Sequence, residues 1–177
     1  MADVIGHGLT VLELINIGLD VAERLKLVKG NFKDGIQQLT EDLMRTKRIL
    51  DKYEELVGKG TIKEMEENPK KMSGLDKQLN EVTDYLLKIQ GLTPPDEKQK
   101  IQGKSLTKLM RLIEPLEKFC KAHDINAKFE EFSEGLDAAL LRYSTAIKPH
   151  IIQETFDEFT KILKGNKNRC IIIIIMP

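Results

Sequence analysis

Apolar residues recur at helical spacing along almost the whole chain, and no stretch before Cys170 alternates as a half-buried strand does. Ile36, Leu39, Leu43, Leu50, Tyr53 and Val57 mark one such stripe, with Met44, Ile49 and Leu56 beside it. Leu75, Leu79, Val82, Leu86 and Ile89 mark a second, and Phe129, Phe132, Leu136, Leu140 and Tyr143 a third. A stripe of period near 3.6 demands that one helix face be buried against other helices. This leaves an all-α fold. The expectation is an antiparallel four-helix bundle with an additional, brace-like helix at its C-terminal end.

Breakers divide the stripes. Residues 1–29 read as one helix, ended by Gly30-Asn31 and apolar nearly all round up to Ala22, which predicts a central, buried position. The second helix spans 32–57 and stops at Gly58 and Gly60. A short helical turn follows, stopped by Asn68-Pro69. Ser73 is the expected N-cap of the third helix, and the Thr93-Pro94-Pro95-Asp96 turn closes it. The segment from Asp96 to Ala122 carries Leu106, Leu109, Ile113, Leu116 and Phe119, with a kink or break expected at Pro115. A helix over 127–147 and a last one over 150–163, with Ile152, Phe156, Phe159 and Leu163, complete the bundle domain, taken as residues 1–165.

Residues 166–177 read as a linker and then the first strand of a following domain, because Ile171–Ile175 is a run of five β-branched residues. The same run also suits an intermolecular zipper. It is too short to span a bilayer, and Cys170 lies too far from the end for prenylation.

The 177 residues carry equal numbers of acids and bases, 28 of each, so bulk charge offers no attraction for nucleic acid. None of the nine Phe and Tyr residues interleaves with the lysines as a stacking platform needs, and no nucleic-acid partner is expected. The opening stretch has neither a basic n-region nor a cleavage site. Cys120 and Cys170 form no disulfide framework, which suits a reducing, cytoplasmic setting.

Catalytic patterns are missing. His7, His123 and His150 accompany no nucleophile motif. Cys120 and His123 supply two metal donors where a zinc site needs four. Gly103-Lys104-Ser105 resembles the end of a phosphate loop, but Lys98 stands where the first glycine belongs. Glu64, Glu66 and Glu67 read as a charged surface turn. No enzyme activity, cofactor or metal is expected.

One charge feature has more content. Lys100, Lys104, Lys108 and Arg111 are spaced four, four and three apart, a single basic ridge on a helix, with no acid between Lys98 and Ile113. Like charges at these spacings repel by a few tenths of a kcal/mol per pair. Anionic lipid headgroups attract such clusters by about 1 kcal/mol per base. A second basic cluster, Lys161, Lys164, Lys167 and Arg169, follows Glu158.

Two stretches carry a family resemblance. The glycine-containing opening "MADVIGHGLTVLELINIGLDVAERLK" resembles the first helix of HeLo-type domains. "LEKFCKAHDINAKFEEFSEGLDAALLRY" is similar to the last bundle helix of that family and of the mixed-lineage kinase domain-like (MLKL) proteins. The resemblance spans residues 1–163. It implies an oligomerising effector of cell death or innate immunity that moves from the cytoplasm to the plasma membrane, binds anionic phospholipid and disrupts it by pore formation. It also implies self-association and restraint by an intramolecular C-terminal domain. Lys100, Lys104, Lys108 and Arg111 are the candidate lipid-binding residues. Val4, Val11, Leu12, Ile15 and Leu19 are the candidates for a membrane-inserting helix, with Glu13, Asn16 and Asp20 facing a wet lumen and Gly6, Gly8 and Gly18 allowing close approach. The competing expectation is a helical protein–protein adaptor that self-associates without touching membranes.

Overall fold

Six α-helices and one 3-10 turn account for nearly all the regular structure in the computed structural model, which describes residues 4–5, 8–28, 30–60, 68–92, 106–150, 157 and 160–162. They are α1 (Val11–Leu25), α2 (Lys33–Gly58), α3 (Pro69–Ser73), α4 (Leu75–Gly91), α5 (Leu106–Ala122) and α6 (Ile125–Ile147), followed by the turn Lys148–His150. Among the described residues there is no strand, only one isolated bridge between Val4 and Thr10. The chain is therefore all-α there, as its periodicity requires.

Local chemistry sets the boundaries, and several differ from expectation. The first helix begins at Val11, seven residues after Val4. Gly8 turns the chain with φ of 70°, and Thr10 then caps α1. The Thr10 side chain accepts from the Glu13 N–H, and the Glu13 carboxylate accepts from the Thr10 N–H at 2.6 Å, a reciprocal capping box. Asn68-Pro69 starts a helix, while the turn expected before it lies outside the described residues. Asn68 Oδ1 accepts from Lys70 N at 2.9 Å, and Pro69 takes the first helical position, where its missing N–H costs nothing. Ser73 ends α3, and Gly74 (φ 73°) lets α4 start at once. Pro115 lies inside α5, which runs through it without a break. Asp124 caps α6 by accepting from Ala127 N at 3.0 Å, which moves the start of that helix to Ile125. Of the last expected helix, only Asp157 and Thr160–Ile162 are described, all helical, with Ile162 against the core. Residues 166–177 lie outside the described residues.

The core is one cluster to which α1, α2, α4 and α6 bring most of the side chains, with Leu116 and Phe119 added from α5. Helix α2 packs against α1 and α6, and α4 against the same two. Contact order along the helices gives their directions. Asn126 donates to Asn31 O, Ser133 to Asp42, Arg45 to Asp137, and Tyr53 meets Tyr143 edge-on, so α2 and α6 run the same way. Arg142 donates to Ser73 O, and Tyr85 packs edge-on against Phe132, so α4 and α6 run oppositely. Gly18 lies between Thr40 and Leu86. A β-carbon there would stand 3.3 Å from Thr40 Oγ1, tighter than ordinary contact. Gly35 is similar: its β-carbon would lie 3.2 Å from Asn126 Oδ1 and 3.3 Å from the Phe129 ring. Small residues at these two points let α1, α2 and α6 approach closely.

The α1–α2 face as a candidate interaction site

Helix α1 is not central. Its buried residues are Val11, Leu14, Ile15, Gly18, Val21, Arg24 and Leu25, a single face turned to α2 and α4. The opposite face is exposed and still apolar in part. Leu12 is 52% and Leu19 51% exposed, against 2% for Val11 and 5% for Ile15. The five candidate inserting residues therefore divide. Val11 and Ile15 belong to the core, Leu12 and Leu19 to the surface, and Val4 lies outside the helix and exposed. A continuous apolar circumference in sequence misled here. Among the described residues α1 packs chiefly on α2 and α4, and a helix so placed needs only part of its circumference for the core.

Beside Leu19 an apolar groove of about 390 Å³ opens between α1 and α2. Leu19, Ala22, Leu25, Phe32, Ile36 and Met44 supply its walls, and Met44 itself is 38% exposed. Lys26 and Lys33 flank the end where α1 turns into α2, while Gln37 and Glu41 line it further along, with Gln37 Nε2 donating to Glu41 at 3.1 Å. The size is that of a specific ligand or side-chain cleft. Sequence reading missed this groove. Its available signal was Met44 set beside the α2 stripe, which lines the groove together with Leu19.

Polar ties on the buried sides fix both walls. Arg24, 2% exposed, donates from Nε to Asp20 at 2.7 Å and from Nη1 to Gln90 O at 2.7 Å, and Gln90 Nε2 reaches Asp20 at 3.2 Å. Burial lowers the Arg24 pKa from its ordinary value, and the carboxylate and carbonyl satisfy the guanidinium. On α2, Asp42 accepts from Ser133 Oγ at 2.5 Å and from Arg45 Nη2 at 2.9 Å, and Arg45 also pairs with Asp137. These buried charges lie between helices and are consumed by one another, a structural arrangement.

The other candidates separate likewise. Lys108 and Arg111 fall in α5, whereas Lys100 and Lys104 lie outside the described residues, as do the side chains of 106–112. Only the backbone of Lys108 and Arg111 is therefore placed. Cys120 and His123 are drawn into packing: the His123 ring stacks on Phe119 at 4.3 Å and its Nδ1 lies 3.0 Å from Phe119 O. Burial raises the Cys120 thiol pKa, with the Glu117 charge adding to it. No group of three or more metal-donor side chains gathers among the described residues, and no described helix is long and apolar enough to cross a membrane. A second, more open cleft of about 600 Å³ beside Val4 and Ile5 is lined chiefly by charged side chains such as Lys71, Asp76, Lys77 and Asp84.

Comparison with family models finds no match, and neither curated proteins nor solved structures yield one.

Proposed function

We propose that this chain is a non-enzymatic, membrane-targeting and oligomerising helical effector module, of the kind the HeLo-type resemblance implies. In this reading α1, α2, α4 and α6 form a four-helix bundle, α5 lies alongside, and residues 150–163 act as a brace. The protein rests in the cytoplasm and moves to anionic membrane. The observation that carries the reading is the exposed pair Leu12 and Leu19 beside the α1–α2 groove. Apolar side chains kept half in water, next to a cleft the core leaves open, suit a surface that later meets another apolar phase. The basic ridge on and before α5 supplies the headgroup attraction. A monomeric helix with Glu13 and Asp20 does not cross a bilayer alone, so the reading requires assembly of several copies.

Flotation with anionic and neutral vesicles tests it. The expected result is binding to anionic vesicles only, with dye release after chemical cross-linking of the protein. Reversing Lys108 and Arg111 to Glu weakens binding, by roughly fivefold per removed base at about 1 kcal/mol each. Binding that ignores vesicle charge and these reversals removes the ridge. No binding and no release in either state removes the membrane reading.

The second reading, a protein–protein adaptor, rests on the groove itself. Its apolar walls and mixed charged rim suit an amphipathic helix laid along α1 and α2. Self-association without vesicle binding is the outcome that selects it.

A further inference from the structure

The exposed face of α1 has a register of its own. Leu12, Asn16, Leu19, Glu23 and Lys26 follow one another at spacings of four, three, four and three, and all five are exposed. This is the spacing of the narrow seam of a two-stranded coiled coil, with leucine at two of the five positions. Lys26 keeps helical backbone angles as the C-cap, so the seam runs one step past the helix. Glu13 flanks it at one end, and Leu27, 37% exposed and in the turn that follows the C-cap, at the other.

The seam is self-complementary when reversed. About a point between Leu19 and Asp20, Leu12 is set opposite Leu27, Glu13 opposite Lys26, and Asn16 opposite Glu23. Leucine meets leucine, carboxylate meets ammonium, and amide meets carboxylate. Laid parallel and in register, the same seam sets Glu13 beside Glu13, Glu23 beside Glu23 and Lys26 beside Lys26, all repulsive. Within the chain Lys26 already pairs with Glu23 at 2.5 Å, so in the reversed pair it stands between two carboxylates. Asp20 is drawn away to Arg24 and Gln90, which leaves Leu19 at the axis. The groove beside Leu19, with Met44 on its far wall, is open to receive side chains from the opposing helix.

We propose that two copies of this chain pair through α1, antiparallel, about a two-fold axis at Leu19. The proposal rests on the α1 face alone and needs no lipid. The pair covers Leu12 and Leu19 at rest, and separation exposes them. Three leucines per copy make a small apolar centre compared with standard interfaces of about 800 Å² per partner, so the dimer forms at micromolar concentrations.

Sedimentation velocity over about 1–100 µM protein is the first test. The expected mass moves from 20.2 kDa to twice that value. Leu19→Glu returns it to the monomer, with circular dichroism confirming an unchanged fold. The second test fixes the geometry, with Cys120→Ser and Cys170→Ser as background. Leu19→Cys cross-links on mild oxidation, because its two copies meet at the axis. Leu12→Cys does not, because Leu12 lies more than two helical turns from the axis in each copy, which holds the two Leu12 positions about 22 Å apart, far beyond disulfide reach. A chain that stays monomeric at about 100 µM overturns the proposal. So does a dimer that survives Leu19→Glu, or a Leu12→Cys variant that cross-links as readily as Leu19→Cys. Vesicle binding by a chain that never dimerises sinks this inference and leaves the membrane reading standing; a dimer that ignores vesicles does the reverse.

Discussion

Tyr85 shows how a single side chain registers its surroundings. Its ring packs at 5.3 Å from Phe132, 6.0 Å from Phe119 and 6.1 Å from Phe129, joining α4 to α5 and α6. Its hydroxyl is buried with no hydrogen-bond partner among the described residues. Burial, helped by the nearby Cys120 and Asp124, pushes its pKa up from 10.0 to about 12. The folded state therefore holds this proton after the unfolded chain has released it. Stability from this group is complete below pH 10 and is lost as the pH rises from 10 towards about 12. Alkaline titration of urea midpoints is expected to show a fall across that window, and Tyr85→Phe to flatten it. Near neutral pH the same substitution is expected to leave stability unchanged or to raise it by up to about 1 kcal/mol, since it removes a polar atom with no described partner. A loss of more than about 1 kcal/mol would instead point to a partner for the hydroxyl.

At the scale of the element, α1 depends on its first turn. It has 15 residues, near the length at which an isolated helix is marginal in water. The Thr10–Glu13 capping box satisfies N–H groups that α1 and its cap leave open, and the Thr10 N–H and hydroxyl hold the Glu13 pKa below its usual value. Thr10→Ala is expected to lower stability by about 1 kcal/mol in urea denaturation. Faster amide exchange at the start of α1 should accompany it, with no change in α6, and uniform loosening of all helices would refute this account. The capping box was legible in sequence as Thr-x-x-Glu before an apolar run. The apolar pattern that continues upstream through Val4 and Ile5 masks it. Asn68-Pro69 has the same ambiguity, since proline both ends helices and begins them.

Across the whole molecule the buried Asp42, Arg45 and Ser133, with the part-buried Asp137, tie α2 to α6. Arg45 reaches two carboxylates, and Gln38 Nε2 also donates to Asp42 at 3.2 Å. Arg45→Ala would remove the guanidinium that Asp42, 1% exposed, shares with Asp137, and is expected to cost about 3 kcal/mol of unfolding free energy. Equilibrium urea curves at neutral pH check this, and a loss under about 1 kcal/mol would show that the pair is dispensable. None of this tie was visible in the chain, where Asp42 and Arg45 stand off the apolar stripe of the second helix. Residues 91 and more positions away decide that they are buried. The basic ridge was legible as spacing, but only the backbone of Lys108 and Arg111 falls within the described residues.

Periodicity alone determined that the described part of this protein is helical, because a 3.6-residue stripe has no other way to bury itself. It also placed α2 and the C-terminal end of α6 to within a residue or so, where glycine or Lys148-Pro149 ends the stripe. Tertiary structure decided which face of each helix is inside. Along α1 the sequence offers apolar residues in nearly every direction, and only the positions of α2 and α4 choose Leu14, Gly18, Val21 and Leu25 for the core. Leu12 and Leu19 are left in water for that reason. The same choice opens the groove beside them, since burial depends on which other helices arrive and a local pattern carries no record of their arrival.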